Sequence, residues 1–287
     1  MVVRVPQFAD RIAEATGLDS AAKPLAKNLA KVVPPGPVKD LLSGSWLGHP
    51  VHPMLTDIPI GAWTSAFFLD LLGGKRGRRA SQQLVGIGVV AALPTAAAGI
   101  SDWVDYLGGE RRVGFVHAVA NVTALSFYSL SWMARRRGAN FRGVALGMLG
   151  ATAATVGGYL GGHLTYTRGV NVNRNAWHEG LDDWTEVFDE AELRDGEPVK
   201  VEAGGADVLL VRLDGRLYAL GDVCSHAGGP LHEGSIDATC VTCPWHGSMF
   251  RLDDGEVVHG PATAAQPTYE VRTEGGKVSV RRAASHG

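Results

Sequence analysis

The sequence predicts a two-part chain, in which an all-α bundle of four transmembrane helices precedes a small all-β domain. Two observations lead to this fold class. The first half contains four apolar stretches, each long enough to cross a bilayer core of about 30 Å. The last third contains short β-type runs separated by Gly and Asp turns. At 287 residues the chain is long enough for two domains.

The four apolar stretches differ from the helices of a soluble bundle because they have no charged face. They cover residues 54–72, 84–100, 113–133 and 144–164. Asp57 and Asp70 interrupt the first stretch, both near its ends. Glycines spaced by four, such as Gly157 and Gly161, let helix backbones approach closely. We therefore predict a transmembrane domain over residues 49–165, with a soluble bundle of buried helices as the alternative.

An N-terminal segment, residues 1–48, precedes the first apolar stretch and contains no apolar region of a cleavable secretory signal. Lys23, Lys27 and Lys31 recur every four residues within it. This spacing is typical of a basic amphipathic helix on a membrane surface, and a solvated helix packed on the rest of the chain fits equally. The net charge of −2 gives no indication of nucleic-acid binding.

Two short motifs near the C-terminus carry the chemistry of the chain. Cys224 and His226 form a Cys-x-His pair, and Cys243 and His246 form a Cys-x-x-His pair. In a [2Fe-2S] centre of mixed ligation, two thiolates hold one iron and two imidazoles hold the other. The cysteines would bind the first iron and the histidines the second. A structural zinc site is the alternative, although zinc sites favour closely spaced pairs of like ligands.

The glycine- and proline-rich loops around these motifs resemble the Rieske [2Fe-2S] family over residues 184–283. The resemblance implies that the hydroxyl of Ser248 donates a hydrogen bond to the cluster. Phe250 stands where high-potential members have a tyrosine that reaches a cysteine ligand. Gly229 and Trp245 stand where cytochrome bc-type members carry a disulfide. The resemblance therefore implies the ferredoxin and dioxygenase branch, with a lower reduction potential within the family.

Short β-strands are predicted around the two motifs, forming a small antiparallel barrel or sandwich. The predicted runs are residues 198–201, 208–213, 217–220, 257–258, 269–272 and 278–281. A polar linker, residues 166–183, joins this domain to the apolar half. We expect the two motif-bearing loops to protrude from one end of the domain.

Histidines gather on one membrane face of the predicted bundle, because the ends of an even number of spans alternate between two faces. The group includes His52, His117 and His163, close to Asp57 and Asp102. Ionisable groups within membrane helices are costly and often mark a functional site. His117 with His163 or His52 could ligate a haem b, or the histidines could accept a proton from quinol with an aspartate fixing the imidazole tautomer. A structural role, in capping helices and bonding across the bundle, is the third interpretation.

The HPxHP sequence at the start of this half and the residues after His163 resemble the DUF2231 family of four-span bacterial membrane domains. This resemblance implies an architecture and a bacterial-type cell membrane but no chemistry.

Positive charges in two loops predict the membrane side of each domain. The charges are Lys75, Arg76, Arg78, Arg79, Arg135, Arg136, Arg137 and Arg142. The positive-inside rule makes these loops cytoplasmic, which places both termini and the Rieske domain on the extracytoplasmic side. Arg135 to Arg137 could serve as an internal twin-arginine signal for export of a folded domain, or merely anchor helix ends.

One-electron transfer at a membrane is the function that the sequence predicts. No G-x-G-x-x-G unit for a dinucleotide is present, and the residues after the motifs hold no large catalytic domain for a terminal oxygenase. We expect a [2Fe-2S] carrier that accepts electrons from quinol or haem b through His226 or His246. The alternatives are a redox sensor, or a membrane-anchored ferredoxin that serves a separate oxygenase. The oligomeric state is not predicted.

Overall fold

The computed structural model describes residues 6–177 and 182–283. Within these residues, seven α-helices precede ten β-strands, so the predicted all-α then all-β layout is confirmed. Two compact units are present. The helical unit comprises Met1–Val33 and Val51–Val170, and the β-rich unit comprises Pro34–Pro50 and Asn171–Gly287. Part of the predicted linker, residues 178–181, lies outside the described residues.

Four of the seven helices are long. In chain order the helices are α1 Pro6–Glu14, α2 Asp19–Ala30, α3 Pro37–Ser43, α4 Val51–Leu72, α5 Gly74–Trp103, α6 Gly108–Arg136 and α7 Asn140–Gly162. A π-helical turn, His163–Thr167, continues α7. By length and composition, three helices could cross a membrane: α5, α6 and α7 with its π-helical turn. The first predicted span is α4, which contains two aspartates and is not among these three helices.

Aromatic side chains and glycines fill the interior of the helical unit. Trp63 of α4 stacks on Tyr128 of α6, with ring centroids 4.0 Å apart. A Cβ added at Gly157 of α7 would lie 2.6 Å from the Oδ1 of Asn121, and one at Gly161 would lie 3.1 Å from the Cε1 of His117. These glycines therefore make room for polar side chains of α6, beyond the close backbone approach that their spacing predicts.

The short helices α1 and α2 are fastened to the long ones by ion pairs. Arg112 donates two hydrogen bonds to the carboxylate of Asp19, at 2.8 and 2.9 Å. Arg168 pairs with Asp10 at 3.3 Å. Ala22 and Ala26 of α2 are buried in a cluster with Trp103. The contacts of α2 thus favour the packed helix over the membrane-surface helix.

One arginine of the predicted basic loops is an internal residue. The side chain of Arg135 is only 2% exposed, and it binds both carboxylate oxygens of Asp70 at 2.8 and 2.6 Å. Ser81 and Ser131 complete the network with hydrogen bonds of 2.7 Å to Asp70 and 3.1 Å from Arg135. Counting Arg135 as a loop charge, or as part of an exposed twin-arginine signal, is therefore wrong, because its charge is neutralised within the bundle.

The β-rich unit contains two antiparallel sheets. The strands are β1 Thr185–Asp189, β2 Val199–Ala203, β3 Ala206–Leu213, β4 Arg216–Gly221, β5 Ser235–Asp237, β6 Cys240–Thr242, β7 Met249–Arg251, β8 Val257–His259, β9 Thr268–Glu274 and β10 Lys277–Arg282. The six-stranded sheet has the order β1-β10-β9-β4-β3-β2, and the four-stranded sheet has the order β5-β6-β7-β8. All six predicted runs are strands. β1 was not predicted from the sequence. The strands β5, β6 and β7 were not predicted either, because three residues are too few for an alternating pattern.

A segment from the beginning of the chain belongs to the β-rich unit. We call Pro34–Pro50 the cap segment; it contains α3 and falls mostly within the N-terminal segment predicted from the sequence. Its Asp40 bonds with His259 of β8, 219 positions later in the chain. The β-rich unit is therefore built from two distant parts of the sequence.

Candidate metal centre

Two loops of matching backbone geometry carry the predicted cluster ligands. The first loop follows β4, and the second joins β6 to β7. In the first loop, the N–H of Cys224 donates to the carbonyl of Gly229 at 2.9 Å, and the N–H of Gly228 donates back to Cys224 at 2.8 Å. The second loop repeats both bonds with Cys243, Ser248 and Gly247, at 2.8 and 3.1 Å.

Glycine is required at the fifth position of each loop. Gly228 and Gly247 have φ values of +84° and +77°, a region that side chains with a Cβ rarely adopt. Each loop therefore turns at the same point relative to its cysteine, while the histidine stands at the third position of the first loop and at the fourth position of the second. The local repeat explains why the two motifs can act as a pair.

The four predicted ligands come together as one pair of sulfurs and one pair of imidazoles. Cys224 and Cys243 are 1% and 3% exposed. His226 and His246 are half-buried, with ring centroids 5.1 Å apart and planes at 88°. Such a grouping, with two sulfurs in one pair and two imidazoles in the other, is what two irons of different ligation require.

The protonation state of His226 suits iron binding. A hydrogen bond between the two thiol groups raises the pKa of Cys224 and lowers the pKa of Cys243 to about 7. Burial, aided by the neighbouring His246, lowers the pKa of His226 to about 3. His226 is therefore a neutral imidazole at physiological pH, and neutral imidazole is the form that binds a metal.

The backbone at Gly229 lies so close to a ligand sulfur that it leaves no room for a side chain. A Cβ added at Gly229 would lie 2.8 Å from the Sγ of Cys243 and 3.0 Å from the ring of Trp245. Ser248 is fully buried, and its Oγ accepts a hydrogen bond from the N–H of Ala262 at 3.0 Å. That bond leaves the hydroxyl hydrogen of Ser248 to be donated, as its predicted bond to the cluster requires.

Several residues that support the loops were missed by the sequence analysis. Asp222 is 2% exposed, and its carboxylate accepts hydrogen bonds from the backbone N–H of His232 at 2.7 Å and from its Nδ1 at 2.8 Å. The amide of Asn175 donates to the carbonyl of Val223 at 2.9 Å. The N–H of Arg174 donates to the carbonyl of Ser225 at 3.0 Å. The predicted linker thus holds the first loop, a role for which isolated polar residues give no sequence signal.

Two of the three predicted membrane histidines meet inside the helical unit. His52 of α4 and His117 of α6 have ring centroids 6.4 Å apart and planes at 81°. The Nδ1 of His52 bonds with the carbonyl of Thr95 at 2.9 Å, and the Nδ1 of His117 bonds with the carbonyl of Gly157 at 2.8 Å. Backbone carbonyls, and not the predicted aspartates, fix both tautomers.

The third histidine, His163, has different neighbours. It is 6% exposed, and its Nε2 accepts a hydrogen bond from Arg168 at 3.3 Å and lies 3.8 Å from Asp10. Arg168 also donates to Glu110 at 3.1 Å. Of the two pairings considered for His117, the structure therefore brings together the one with His52, whereas the ion pairs of α1 and α6 engage His163.

The donor set and the cradle at the loops fit a [2Fe-2S] cluster of mixed ligation. Cys224 and Cys243 would hold one iron, and His226 and His246 the other; once bound, the cluster takes up or releases one electron. The site therefore defines the class of iron–sulfur proteins in which two histidines replace two cysteines.

Comparison with known proteins narrows this class. Residues 183–270 match the family model described as Rieske [2Fe-2S] domain, and residues 48–174 match the model described as predicted membrane protein (DUF2231). Over 91 residues the chain is 33% identical to the 3-phenylpropionate/cinnamic acid dioxygenase ferredoxin subunit of Escherichia coli (strain K12), which covers 31% of this chain and 85% of that protein. The chain belongs to the Rieske [2Fe-2S] family, and a DUF2231 domain precedes its Rieske domain.

Two further relatives match the same part of the chain. Over 90 residues it is 37% identical to apoptosis-inducing factor 3 of Mus musculus, and the match spans 31% of this chain and 15% of that protein. The ferredoxin of carbazole 1,9a-dioxygenase from Nocardioides aromaticivorans IC177 is 27% identical, with 34% of this chain and 95% of that chain covered and a TM-score of 0.33. The Rieske match sets aside the structural zinc site and supports electron transfer, and the DUF2231 match supports membrane association.

Proposed function

We propose that this protein is a membrane-anchored one-electron carrier, whose Rieske cluster receives electrons from a quinol or a haem b bound between His52 and His117. The observation that carries the proposal is the pairing of these two side chains. They come from different helices, yet the centroids of their rings lie 6.4 Å apart. Histidines that served only as helix caps would not need to converge.

The hydrogen bonds of the pair support a ligand-binding role. A carbonyl oxygen can only accept, so the Nδ1 of each ring carries the hydrogen and the Nε2 carries the lone pair. Fixing Nδ1–H on a carbonyl is the usual way in which a protein orients an imidazole that binds a metal. The same Nε2 lone pair accepts a proton from a quinol hydroxyl.

Room for the two rings is built into the neighbouring helices. A Cβ added at Gly99 of α5 would lie 2.7 Å from the Cε1 of His52, and one at Gly161 would lie 3.1 Å from the Cε1 of His117. Asn121, one turn after His117, places its amide nitrogen 3.1 Å from the Nε2 of that histidine. This amide donates to the Nε2 lone pair, and binding of the proposed ligand to that lone pair would replace this hydrogen bond.

Electron and proton balance fit this arrangement. A quinol releases two electrons and two protons on complete oxidation, so one quinol reduces two oxidised Rieske clusters in succession. The Nε2 atoms of the two histidines accept protons. A haem b would instead pass single electrons, with both histidines as its axial ligands.

A reduced-minus-oxidised visible spectrum of the full chain in detergent, with a pyridine haemochrome assay, tests the proposal. Sharp haem bands that disappear in His117→Ala and His52→Ala but remain in His163→Ala identify the haem form. If these bands are absent, stopped-flow reduction of the cluster by a short-chain quinol that is lost in the same two variants identifies the quinol form. Equal reduction rates in wild type and His117→Ala would contradict both forms.

A second candidate function is a ferredoxin that serves a separate oxygenase. The E. coli dioxygenase ferredoxin subunit favours it, because 85% of that protein is matched at 33% identity. A reductase of a ring-hydroxylating dioxygenase system would then reduce the cluster of this chain, with the same rate in wild type and His117→Ala. Membrane insertion alone does not separate the candidates, whereas dependence on the two histidines does.

A further inference from the structure

The carboxylate of Asp40 joins the cap segment to the rest of the β-rich unit. The Oδ1 of Asp40 accepts a hydrogen bond from the N–H of Gly260 at 2.7 Å, and its Oδ2 bonds with the Nδ1 of His259 at 2.8 Å. A Cβ added at Gly260 would lie 2.9 Å from the Oγ of Ser43 and 3.1 Å from the Oγ of Ser45. The cap segment thus lies against the Gly260 backbone and is held there by Asp40.

The same segment reaches the second cluster loop. A Cβ added at Gly247, the residue after the ligand His246, would lie 3.4 Å from the Cγ of Pro35. Contacts at Pro35 and Asp40 therefore lie on either side of residues 36–39, the last of which is Lys39. Its position is fixed by the first turn of α3, in which the hydroxyl of Ser43 donates to the carbonyl of Lys39 at 2.8 Å.

Lys39 is a buried cation on the cluster side of the β-rich unit. It is 3% exposed, although lysine is almost never fully buried in proteins. Its charge lies close enough to His226 to interact with it, as does the charge of Arg174. Arg174 differs from Lys39 because it is exposed, so solvent screens its charge.

We propose that Lys39 of the cap segment stabilises the reduced [2Fe-2S] cluster and thereby raises its reduction potential. Two ferric ions, two sulfides and two thiolates have a total charge of zero, so the added electron makes the site negative. A buried cation at short range favours this negative form much more than a cation in water does. Lys39 thus compensates in part for Phe250, which has no hydroxyl to offer a sulfur ligand.

The inference depends on the Rieske cluster alone, so it survives a failure of the proposed quinol or haem donor. The cap segment, which precedes the long helices in sequence, would thus have a role at the cluster. Lys39 acts through the electrostatic potential at the cluster and forms no bond to iron.

An EPR-monitored redox titration of the full chain in detergent tests the proposal. Lys39→Gln and Lys39→Met should each lower the equilibrium constant for one-electron reduction by about tenfold, which corresponds to about 59 mV. Lys39→Arg keeps the charge and should leave the potential unchanged. Arg174→Gln, the matched variant at an exposed cation, should shift the potential by less than half as much.

Three outcomes would overturn the proposal. The first is an unchanged potential in both neutral variants. The second is an equal shift in Lys39→Gln and Lys39→Arg, because packing and not charge would then be responsible. The third is loss of the EPR signal in both neutral variants but not in Lys39→Arg, because the lysine would then serve cluster assembly.

Discussion

The helical and β-rich units hold their candidate functional residues in different ways. In the β-rich unit, each ligand pair lies within one short loop, and backbone hydrogen bonds of that loop fix its shape. In the helical unit, His52 and His117 come from separate helices and are oriented by carbonyls of two more, at Thr95 and Gly157. A loop site is therefore encoded locally, whereas a bundle site depends on how four helices pack.

This difference makes the two sites sensitive to different changes. A loop site fails when a ligand or a turn glycine is replaced, because few other residues determine its geometry. A bundle site also fails when a distant contact changes the packing of the helices. The three predictions below test this contrast, beginning with the largest expected effect.

Replacing a cluster ligand should remove the cluster completely. Cys243→Ser and His226→Ala each leave one iron with a single strong protein ligand, so the reduced-state EPR signal should disappear. Cys240→Ser is the matched control, because Cys240 is a half-buried cysteine of β6 outside both loops. The prediction fails if the signal survives in either ligand variant or vanishes in the control.

Breaking the internal ion pair should destabilise the helical unit strongly. Asp70→Asn leaves the buried Arg135 without its carboxylate, and we expect the free energy of unfolding to fall by about 3–5 kcal/mol. Thermal unfolding in detergent measures the change. The double variant Asp70→Leu with Arg135→Met should recover most of it, since both charges are then removed together.

Arg137→Met is the control for the ion pair, because Arg137 is exposed at the end of the same helix. A loss of stability in this control equal to that of Asp70→Asn would show that any positive charge in the region has the same effect. Retention of the Rieske EPR signal in Asp70→Asn would show that the effect is confined to the helical unit.

A glycine-to-alanine pair should show the smallest effect. Gly229→Ala introduces a Cβ 2.8 Å from the Sγ of Cys243, and overpacking of this kind costs about 1–3 kcal/mol. Iron and sulfide content per chain should fall with it. Gly158→Ala on α7 has no heavy atom within 4 Å of the new Cβ, so cluster content and stability should match the wild type. Equal effects of the two substitutions would contradict the contrast between the sites.

The sequence contains nearly complete information on the loop site. Ligand type and spacing predict Cys224, His226, Cys243 and His246, and the family match confirms the kind of domain that carries them. The positive-φ glycines after each motif are equally readable, because a turn of that kind requires them. The role of Asp222 was not readable, since a buried carboxylate that clamps a loop resembles any other aspartate in sequence.

The bundle site could be predicted only in part. Apolar length predicts the helices, and the rarity of histidine in such segments points to His52, His117 and His163. Sequence does not give the rotation of each helix about its axis, so it could not tell that His163 turns towards Arg168. The same limit explains Arg135, whose neighbours Arg136 and Arg137 are exposed while it points inward.

The composition of the β-rich unit also bears on how often the chain would cross a membrane. Pro34–Pro50 and Asn171–Gly287 belong to one compact unit, so a chain that spans a membrane between them has to return to the same compartment. Only an even number of crossings permits this, and the three described helices that are long and apolar enough to cross would give an odd number. We therefore expect the helix Val51–Leu72 to cross as well, with the charge of Asp70 neutralised by Arg135.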